Sequence, residues 1–323
     1  MVLVLSDADV ADLVDLESLA PVVEHALVKQ GRGEVERPER PHYPVGTGLD
    51  GPDPLGTGLA MPAYVHGDPY FATKLVGVHG DNPERGLPTI HAQVVLADAR
   101  TGQPVSFMNG GRITNARTGC IGGLAARDLA TRPVTVGVIG AGAQARWQTR
   151  AIAALTDVES VRVYSRSDSK LDCAADLREY GIDASAVETP ADAVTGANVV
   201  VTATTSADPV FPADALSPGT LVVAVGAYNE EMQELESAVF ARADRVFADV
   251  PGEVAGIGDL LATDLTEDDL VPLSSVFEGE VGRESDAEIL VVESVGTAVL
   301  DAATAAEMYD AATEAGLGTE QSF

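Results

Sequence analysis

Residues 134–146 carry the strongest chemical signal of the sequence, because a strand-like run leads into a glycine-rich turn and then a helical pattern. The turn reads GAGAQA from Gly140 to Ala145. In this context a G-x-G-x-x-A motif binds the pyrophosphate of a dinucleotide. Gly140 permits the tight turn, Gly142 lets the backbone approach the phosphates, and the helix N-terminus favours their negative charge. The motif predicts nucleotide binding, against the alternative of a purely structural strand–turn–helix.

Two basic side chains upstream of that turn have the properties needed to bind and activate a substrate. Lys74, one of three lysines in the chain, lies in an apolar strand-like run, where a charge costs desolvation free energy unless it has a partner or a chemical role. Arg117 presents a planar guanidinium that suits a substrate carboxylate. From spacing alone, structural ion pairs remain an alternative explanation for both residues.

The end of the second strand of the nucleotide-binding region predicts the cofactor. A fold that prefers NAD places an acid there, on the ribose 2′-hydroxyl. This chain instead has Ser165, Arg166 and Ser167, and an arginine between two hydroxyls suits a 2′-phosphate. NADP(H) is therefore favoured. NAD(H) remains possible, because Asp168 would reach the ribose if the turn were one residue longer.

Alternating strands and helices after residue 130 would position these groups. We expect strands at 134–139, 161–164, 198–203, 221–225, 245–248 and 288–292, with helices at 143–155 and 171–180. This alternation is typical of the α/β class and predicts a Rossmann-type doubly wound parallel sheet.

The N-terminal part has a different pattern. Helical spacing runs from Ser6 to Lys29, Gly and Pro in residues 31–68 predict loops and short strands, and residues 71–78 and 89–97 predict strands of an antiparallel or mixed sheet. Further helices are expected at 115–130 and 294–315, the second capped by Gly316.

The chain of 323 residues has a formal net charge of -30, from 50 acidic and 20 basic residues spread along its length. Such a charge argues against nonspecific binding to nucleic acid or to an anionic membrane. It fits a solvated acidic surface whose self-repulsion is screened by high salt, so we hypothesise a halophilic source.

Cysteine and histidine usage excludes two kinds of site. Cys120 and Cys173 are far apart in sequence, and the histidines lack metal-ligand spacing, so neither a disulfide framework nor a metal site is predicted. The N-terminus lacks a basic region of the kind found in signal peptides, and no apolar run has the length of a membrane helix. A cytoplasmic protein is therefore expected.

Five segments of the chain carry a resemblance to known proteins: KLVGVHGDNPERGLPTIHAQVVLADARTGQPVSFMNGGRITNARTGCIGGLAARDLA, VGVIGAGAQARWQTRAI, VVTATTSADPVF, VGAYNEEMQELES and GRESDAEILVVESVGTAVLDAATA. Together they resemble the ornithine cyclodeaminase / mu-crystallin family, in which similar segments occur in the same order and at similar spacing. The resemblance implies a homodimer. It also implies a substrate-binding and dimerisation domain of α+β type from residues 1–130 with 294–323, and a Rossmann dinucleotide-binding domain at 131–293.

The resemblance also implies roles for individual residues. Arg40 and Arg117 would bind the substrate carboxylate, and Lys74 would polarise the reacting carbon or relay a proton, with a pKa lowered by burial beside two arginines. Thr118 would lie near the cofactor phosphates, Ala203 and Thr204 on the nicotinamide side, and Ser294 to Gly296 near the ring. The complete set of expected cofactor-binding residues is Thr118, Gly140, Ala141, Gly142, Ala143, Gln144, Ser165, Arg166, Ser167, Ala203, Thr204, Gly226, Ser294 and Gly296.

The reactions implied are hydride transfers at a carbon that bears nitrogen beside a carboxylate. In the family's cyclodeaminases, the loop after the fifth strand of the Rossmann domain contains a glycine, one variable residue and then an aspartate. The matching positions in this chain are Gly226, Ala227 and Tyr228, so a tyrosine replaces the aspartate. We therefore expect an NAD(P)(H)-dependent oxidoreductase acting on an α-amino or α-imino acid, such as alanine or a cyclic ketimine. The alternatives are ornithine cyclodeaminase, which uses NAD catalytically, and a nucleotide-binding protein without catalysis.

Overall fold

The computed structural model describes residues 1–322, apart from the side chain of Pro83. Its helices are α1 (Asp7–Leu13), α2 (Leu16–Gly31), α3 (Gly110–Leu129), α4 (Ala143–Leu155), α5 (Ser169–Glu179), α6 (Pro190–Val194), α7 (Ser237–Arg242), α8 (Pro251–Val254), α9 (Gly258–Leu261), α10 (Ser274–Phe277) and α11 (Ala298–Ala315). Its strands are β1 (Val2–Leu5), β2 (Val35–Glu36), β3 (His42–Val45), β4 (Gly56–Val65), β5 (Tyr70–Val78), β6 (Ile90–Asp98), β7 (Pro104–Asn109), β8 (Val134–Ile139), β9 (Val158–Tyr164), β10 (Ala184–Ala186), β11 (Val199–Thr202), β12 (Leu221–Ala224), β13 (Arg245–Ala248), β14 (Val271–Pro272), β15 (Leu290–Glu293) and β16 (Thr319–Gln321).

The chain forms two compact units. Unit 1 contains residues 1–15 and 32–117 and the chain from residue 298 onward, and unit 2 contains residues 16–31 and 118–297. The family resemblance assigns residues 16–31, 118–130 and 294–297 to the first domain, whereas the contacts within the structure group them with unit 2. For residues 16–31 the reason is the packing of α2 against α4 and α10.

Unit 1 is built on a mixed sheet with the strand order β16-β1-β7-β6-β5-β4-β2, and β3 also pairs with β4. β1 is parallel to β7, and the other pairs are antiparallel. Helix α11 packs against β4, β5 and β6. This arrangement places the C-terminal helix against the strand that carries Lys74.

Unit 2 contains a parallel sheet with the strand order β10-β9-β8-β11-β12-β15-β13-β14. The first five positions follow the doubly wound order 3-2-1-4-5, and the last strand of unit 2, β15, inserts between β12 and β13. The prediction of a Rossmann-type parallel sheet is confirmed. Strands β8 and β13 and helix α4 begin and end at the residues expected from the sequence.

The central strands of unit 2 are buried along their whole length. Each residue of β11, β12 and β15 is buried, as expected for a parallel sheet with both faces covered. Gly140, Ala203 and Ser294 directly follow β8, β11 and β15, and Gly226 follows β12 after one residue. The loops that end these strands lie at one edge of the sheet, where ligands of such folds bind.

Among the helices of residues 1–322, none is both long enough and apolar enough to cross a bilayer. The same residues contain no group of three or more His, Cys, Asp or Glu side chains that could hold a metal ion. Cys120 and Cys173 are buried free thiols.

Candidate functional site

Lys74 lies in the middle of β5, between β4 and β6 in the sheet of unit 1. Its side chain is 4% exposed, so the ammonium group has lost its water and needs partners. Nζ donates a hydrogen bond to Oδ2 of Asp301 at 2.6 Å and another to Oγ1 of Thr114 at 3.2 Å. The strand and these two partners hold the buried amine in one position.

Arg117 lies on α3 and shares the same carboxylate. Its Nε donates to Oδ1 of Asp301 at 3.1 Å, and Nη2 makes a longer contact of 3.5 Å to Oδ2. Nη1 is buried and has no hydrogen-bond partner among the described residues. Buried polar groups are rarely left in this state, so this guanidinium retains a donor for a ligand.

Asp301 is the central residue of this group, although it was not among the residues predicted from the sequence. It lies on the first turn of α11, is 1% exposed, and also accepts a hydrogen bond from Oγ1 of Thr114 at 3.2 Å. A single acid in the otherwise small and apolar run AVLDAATAA is the sequence signal that marks it. Aspartate on a buried helix face needs a cationic partner, and Lys74 and Arg117 supply two.

The charges around Lys74 change its titration. The pKa of Lys74 is lowered to about 8: burial is the largest cause, Asp301 opposes it, and the charges of Arg117 and Arg40 add to the lowering. Burial alone would raise the pKa of Asp301, but Arg117 and Lys74 hold it below its usual value. Arg40 is half-buried between β2 and β3. The structure therefore groups the three expected substrate-binding residues, Arg40, Lys74 and Arg117, with Asp301, and these four residues form the Lys74 cluster.

In unit 2 the glycine-rich loop connects β8 to α4. Gly140 has a φ of +115°, and a Cβ there would lie 2.4 Å from the carbonyl oxygen of Ala203. Gly142 is the N-cap of α4, so no side chain caps this helix start, and there is open space where a Cβ would project. The first turn of α4 thus offers backbone N–H groups to an anion, and the loop fits a dinucleotide pyrophosphate. The other predicted residues of this motif lie in the loop (Ala141) and in the first turn of α4 (Ala143 and Gln144).

Thr118 follows Arg117 on α3 and is 8% exposed. Its carbonyl oxygen accepts a hydrogen bond from Nε2 of Gln148 at 2.7 Å, and Gln148 lies on α4. This contact ties α3 to the helix whose N-terminus follows the glycine-rich loop.

The tip after β9 presents three hydroxyl groups. Oγ of Ser165 lies 3.0 Å from Oγ of Ser169, and Oγ of Ser167 lies 2.8 Å from the same atom. Arg166 is exposed between them. Asp168 is the N-cap of α5 but makes no side-chain capping hydrogen bond. The tip therefore combines an arginine with hydroxyl groups at the start of a helix, a chemistry that suits a phosphate.

One buried carboxylate connects the loops after β11 and β12. Glu234 accepts hydrogen bonds from Oγ1 of Thr202 at 2.9 Å, the N–H of Thr204 at 2.6 Å and the N–H of Gly226 at 2.8 Å. Burial raises the pKa of Glu234 to about 7, and these hydrogen bonds oppose the rise. Gly226 donates directly to this carboxylate, and Ala203 lies between two of its donors, Thr202 and Thr204. Glu234 therefore holds both residues that were expected at the cofactor.

A second carboxylate holds the loop after β15. Asp249 accepts hydrogen bonds from Oγ of Ser294 at 2.7 Å, the N–H of Val295 at 3.1 Å and the N–H of Gly296 at 2.8 Å. The sequence gives no periodic signal for Glu234 or Asp249, because both lie outside helices and strands. Their partners are distant in sequence and become neighbours only in the folded sheet.

A further acid in this part of unit 2 is buried without full hydrogen bonding. Oε1 of Glu293, at the end of β15, has no partner among the described residues. Burial raises the pKa of Glu293 well above its usual value, and Asp259, Glu234 and Asp249 raise it further. Burial beside three other acids therefore favours the protonated form of Glu293, and this residue was not among those predicted from the sequence.

Comparison with known proteins identifies the family of this chain. The model of the ornithine cyclodeaminase/mu-crystallin family matches residues 1–316. The chain belongs to this family. Its family relatives include a Δ1-pyrroline-2-carboxylate reductase of Bacillus cereus, which is 34% identical over 295 residues, covering 88% of this chain and 90% of that relative. Since its relatives are reductases and dehydrogenases, this member of the family is an enzyme.

Two solved structures of family proteins superpose on the whole chain. Δ1-pyrroline-2-carboxylate reductase of Thermococcus litoralis, in complex with NADH and L-proline, has a TM-score of 0.92 and 30% identity and covers 99% of this chain and 100% of its own. An archaeal alanine dehydrogenase dimer with bound NAD has a TM-score of 0.90 and 29% identity and covers 100% of this chain and 99% of its own. The family fold therefore extends through both units.

Proposed function

We propose that the protein is an NAD(P)(H)-dependent reductase of cyclic α-imino acids, with Δ1-pyrroline-2-carboxylate as the model substrate. The observation that carries this proposal is the buried Nη1 of Arg117, which lacks a partner among the described residues while the rest of the guanidinium is held by Asp301. An unsatisfied buried donor costs about 1–3 kcal/mol. A substrate carboxylate would recover that free energy and would bring its C=N bond to Lys74.

The family relatives favour a cyclic substrate. The B. cereus relative is a Δ1-pyrroline-2-carboxylate reductase, and the T. litoralis structure contains L-proline, the product expected when that imine is reduced. Alanine formation from pyruvate and ammonia is the next reaction to test, because the archaeal neighbour is an alanine dehydrogenase.

Residues of the Lys74 cluster would bind the substrate carboxylate and supply the proton for the reaction. In the reductive direction the C=N bond gains a hydride at carbon and a proton at nitrogen. When bound, the reduced nicotinamide supplies the hydride. Arg117, with Arg40, holds the carboxylate, and the Lys74 ammonium donates a hydrogen bond and then its proton to the substrate nitrogen. Positioning and electrostatic stabilisation are the main sources of rate acceleration in this scheme.

Asp301 determines where that proton is held. Its contact of 2.6 Å fixes Nζ of Lys74, and its charge keeps the ammonium form accessible despite burial. Because Arg117 and Arg40 oppose this effect, the amine gives up its proton near neutral pH, as a general acid should. The neutral lysine is then reprotonated from solvent.

The cofactor proposed is NADP(H), with NAD(H) accepted less well. Arg166 and the hydroxyl groups of Ser165 and Ser167 suit a 2′-phosphate, and none of these three residues is an acid that would repel it. The glycine-rich loop from Gly140 to Ala143 would hold the pyrophosphate. The two family structures described above contain NADH and NAD, so the preference rests on the residues of this chain.

Ornithine cyclodeamination is less well supported. The loop after β12 presents Tyr228, which is 52% exposed. A phenol lacks the carboxylate that would bind and deprotonate the distal ammonium group of ornithine. We therefore favour net reduction over cyclodeamination.

A homodimer is proposed as the assembled form. The archaeal alanine dehydrogenase neighbour is a dimer, and the sheet strands of unit 1 expose the large apolar side chains of Tyr43, Phe71 and Ile90. Light scattering during size-exclusion chromatography would give twice the chain mass if this is correct. A halophilic origin also remains a proposal, and an unfolding midpoint that does not change between low and molar KCl would contradict it.

The proposed activity is tested by following NAD(P)H absorbance with a substrate panel. Δ1-Pyrroline-2-carboxylate should be reduced with a kcat/KM at least tenfold above that for pyruvate plus ammonia. Lys74→Ala should reduce this rate by about 10²–10⁴-fold, the usual contribution of a general acid. Equal turnover by Lys74→Ala would contradict the mechanism.

A further inference from the structure

Glu234 occupies a distinctive position in unit 2, because its single carboxylate binds groups that follow two neighbouring strands. Thr202 is the last residue of β11, Thr204 lies in the loop after it, and Gly226 lies in the loop after β12. All three donate hydrogen bonds to Glu234, whose side chain is fully buried. The carboxylate therefore fixes the spacing between the two loops.

The surrounding backbone is shaped to hold this carboxylate. The N–H groups of Glu234 and Leu235 both donate to Oδ1 of Asp259 at 2.7 Å, which fixes the segment that carries the side chain. A Cβ on Gly226 would lie 2.5 Å from Oε2 of Glu234 and 2.3 Å from the carbonyl oxygen of Thr204. Gly226 thus leaves room for the carboxylate and the adjoining loop.

The loop after β11 also contacts the glycine-rich turn. Gly140 and Ala203 approach so closely that a Cβ on Gly140 would lie 2.4 Å from the Ala203 carbonyl oxygen. Ala203 is followed by Thr204, which donates to Glu234. A continuous set of contacts therefore runs from the expected pyrophosphate loop to Glu234.

The strand order indicates which half of the cofactor these loops meet. A dinucleotide binds across the point where the strand order reverses, with one nucleotide on each half of the sheet. In unit 2 the tip after β9, with Arg166, lies on the β10–β9 side of β8, and β11 and β12 lie on the other side. If the adenosine half binds at Arg166, the loops held by Glu234 border the nicotinamide half.

We infer that Glu234 is a positioning residue for the nicotinamide half of the cofactor, acting through the loops at Thr204 and Gly226. This inference rests on the proposed nicotinamide-dependent function. Glu234 need not touch the cofactor, because its effect is to hold two backbone segments at a fixed separation. Its loss leaves three donors without an acceptor, so the two loops separate or rotate.

The test compares two ligands that differ by the nicotinamide. Full-length Glu234→Gln is isosteric but replaces one accepting oxygen with a donor, so it can no longer accept from all three groups. Dissociation constants for NADPH and for 2′-phospho-ADP-ribose, which lacks the nicotinamide, would be measured by calorimetry. Thr202→Val, which removes one donor and keeps the shape of the side chain, is a milder second variant.

Glu236→Gln is the matched control. Glu236 lies two residues further along, and its carboxylate accepts from the backbone N–H of Ala213 rather than from the loops after β11 and β12. The expected result is at least a tenfold weaker binding of NADPH by Glu234→Gln, a smaller loss for Thr202→Val, and no change above twofold for Glu236→Gln. Binding of 2′-phospho-ADP-ribose should change less than twofold in every variant.

Two results would overturn the inference while leaving the proposed function intact. One is unchanged NADPH affinity in Glu234→Gln, and the other is an equal loss of affinity for both ligands, which indicates a general structural role. Failure of the wild-type protein to bind any nicotinamide dinucleotide would overturn both proposals. Tight NADPH binding without reduction of any imino acid would overturn the proposed reaction alone.

Discussion

Nζ of Lys74 lies 2.6 Å from Oδ2 of Asp301, and the two side chains are only 4% and 2% exposed. Both charges have been removed from water, so each depends on the other for its electrostatic stabilisation. Because Arg117 uses the same carboxylate, Asp301 compensates two buried cations at once. Stability and catalysis should therefore both respond to this one residue.

Replacing Asp301 with asparagine should destabilise the protein and reduce its activity. The substitution leaves the positive charges of Lys74 and Arg117 uncompensated, and breaking a buried ion pair costs about 3–5 kcal/mol. Urea unfolding would measure the loss, and initial rates of imine reduction would measure the activity. Asp310→Asn is the control, because Asp310 lies on the same helix but is exposed and accepts a bond from Tyr70. Similar effects of the two substitutions would contradict the central place of Asp301.

The pH dependence of activity should reflect the titration of Lys74. Its pKa is about 8, so the ammonium form needed for imine reduction predominates below that pH and is lost above it. Reductive kcat/KM should fall as pH rises through about 8, whereas oxidation of the cyclic amino acid should rise over the same range. Lys74→Arg keeps the charge but does not titrate in this range, so its residual reductive activity should not fall as the pH rises through about 8. The same fall in Lys74→Arg would assign the titration to another group.

Arg166→Ala should weaken the use of NADPH selectively. Hydrogen bonds to a charged group contribute about 1.5–3 kcal/mol, so kcat/KM with NADPH should fall about 10- to 100-fold while the value with NADH changes less than twofold. Arg162→Ala, which removes an arginine that donates to the carbonyl oxygen of Thr195, should leave the ratio of the two cofactors unchanged. A wild-type enzyme that prefers NADH would refute the cofactor proposal.

Glu293→Gln should make the protein more stable at alkaline pH. The folded-state pKa of Glu293 is raised, so the folded protein binds this proton more tightly than the unfolded chain. Stability due to this group is thus full below the unfolded pKa of about 4.5 and is lost as pH rises toward the folded pKa. Denaturant unfolding at pH 8 should show a higher free energy of unfolding for the variant than for the wild type, and this gain should shrink toward pH 5. An equal gain in the exposed control Glu280→Gln would contradict this origin.

The sequence predicted unit 2 better than unit 1 for a physical reason. Parallel strands buried on both faces read as continuous apolar runs, and short loops with glycine mark their ends, so β8, α4 and β13 were correctly bounded. The ten-residue β4 (Gly56–Val65) was expected to be loops and short strands, because its glycines and Pro62 have low strand propensity. Pairing with β5 along most of its length overrides that local preference. The predicted helix from Ser6 to Lys29 is in fact two helices, preceded by β1.

Some residues of the candidate site were predicted from the sequence and others were not. Lys74 and Arg117 stand out in the sequence because a buried lysine and an arginine near a glycine-rich turn are unusual. Asp301 was not predicted, although it is the single acid of an apolar helical run. What the sequence does not show is its pairing with Lys74 and Arg117, which are more than 180 residues away along the chain. Pairing over such separations is set by the packing of α11 against the sheet of unit 1, which local patterns do not specify.

The most direct test of the central claim is the transfer of deuterium from the cofactor to the substrate. Purified enzyme would be incubated with Δ1-pyrroline-2-carboxylate and NADPH that carries deuterium at both C4 positions of the nicotinamide, and the proline formed would be analysed by mass spectrometry and NMR. Direct hydride transfer should leave one deuteron at C2 of each proline, with one NADPH oxidised per proline. Proline formed from ornithine with release of ammonia and no net change in the cofactor, together with no reduction of the imine, would contradict it.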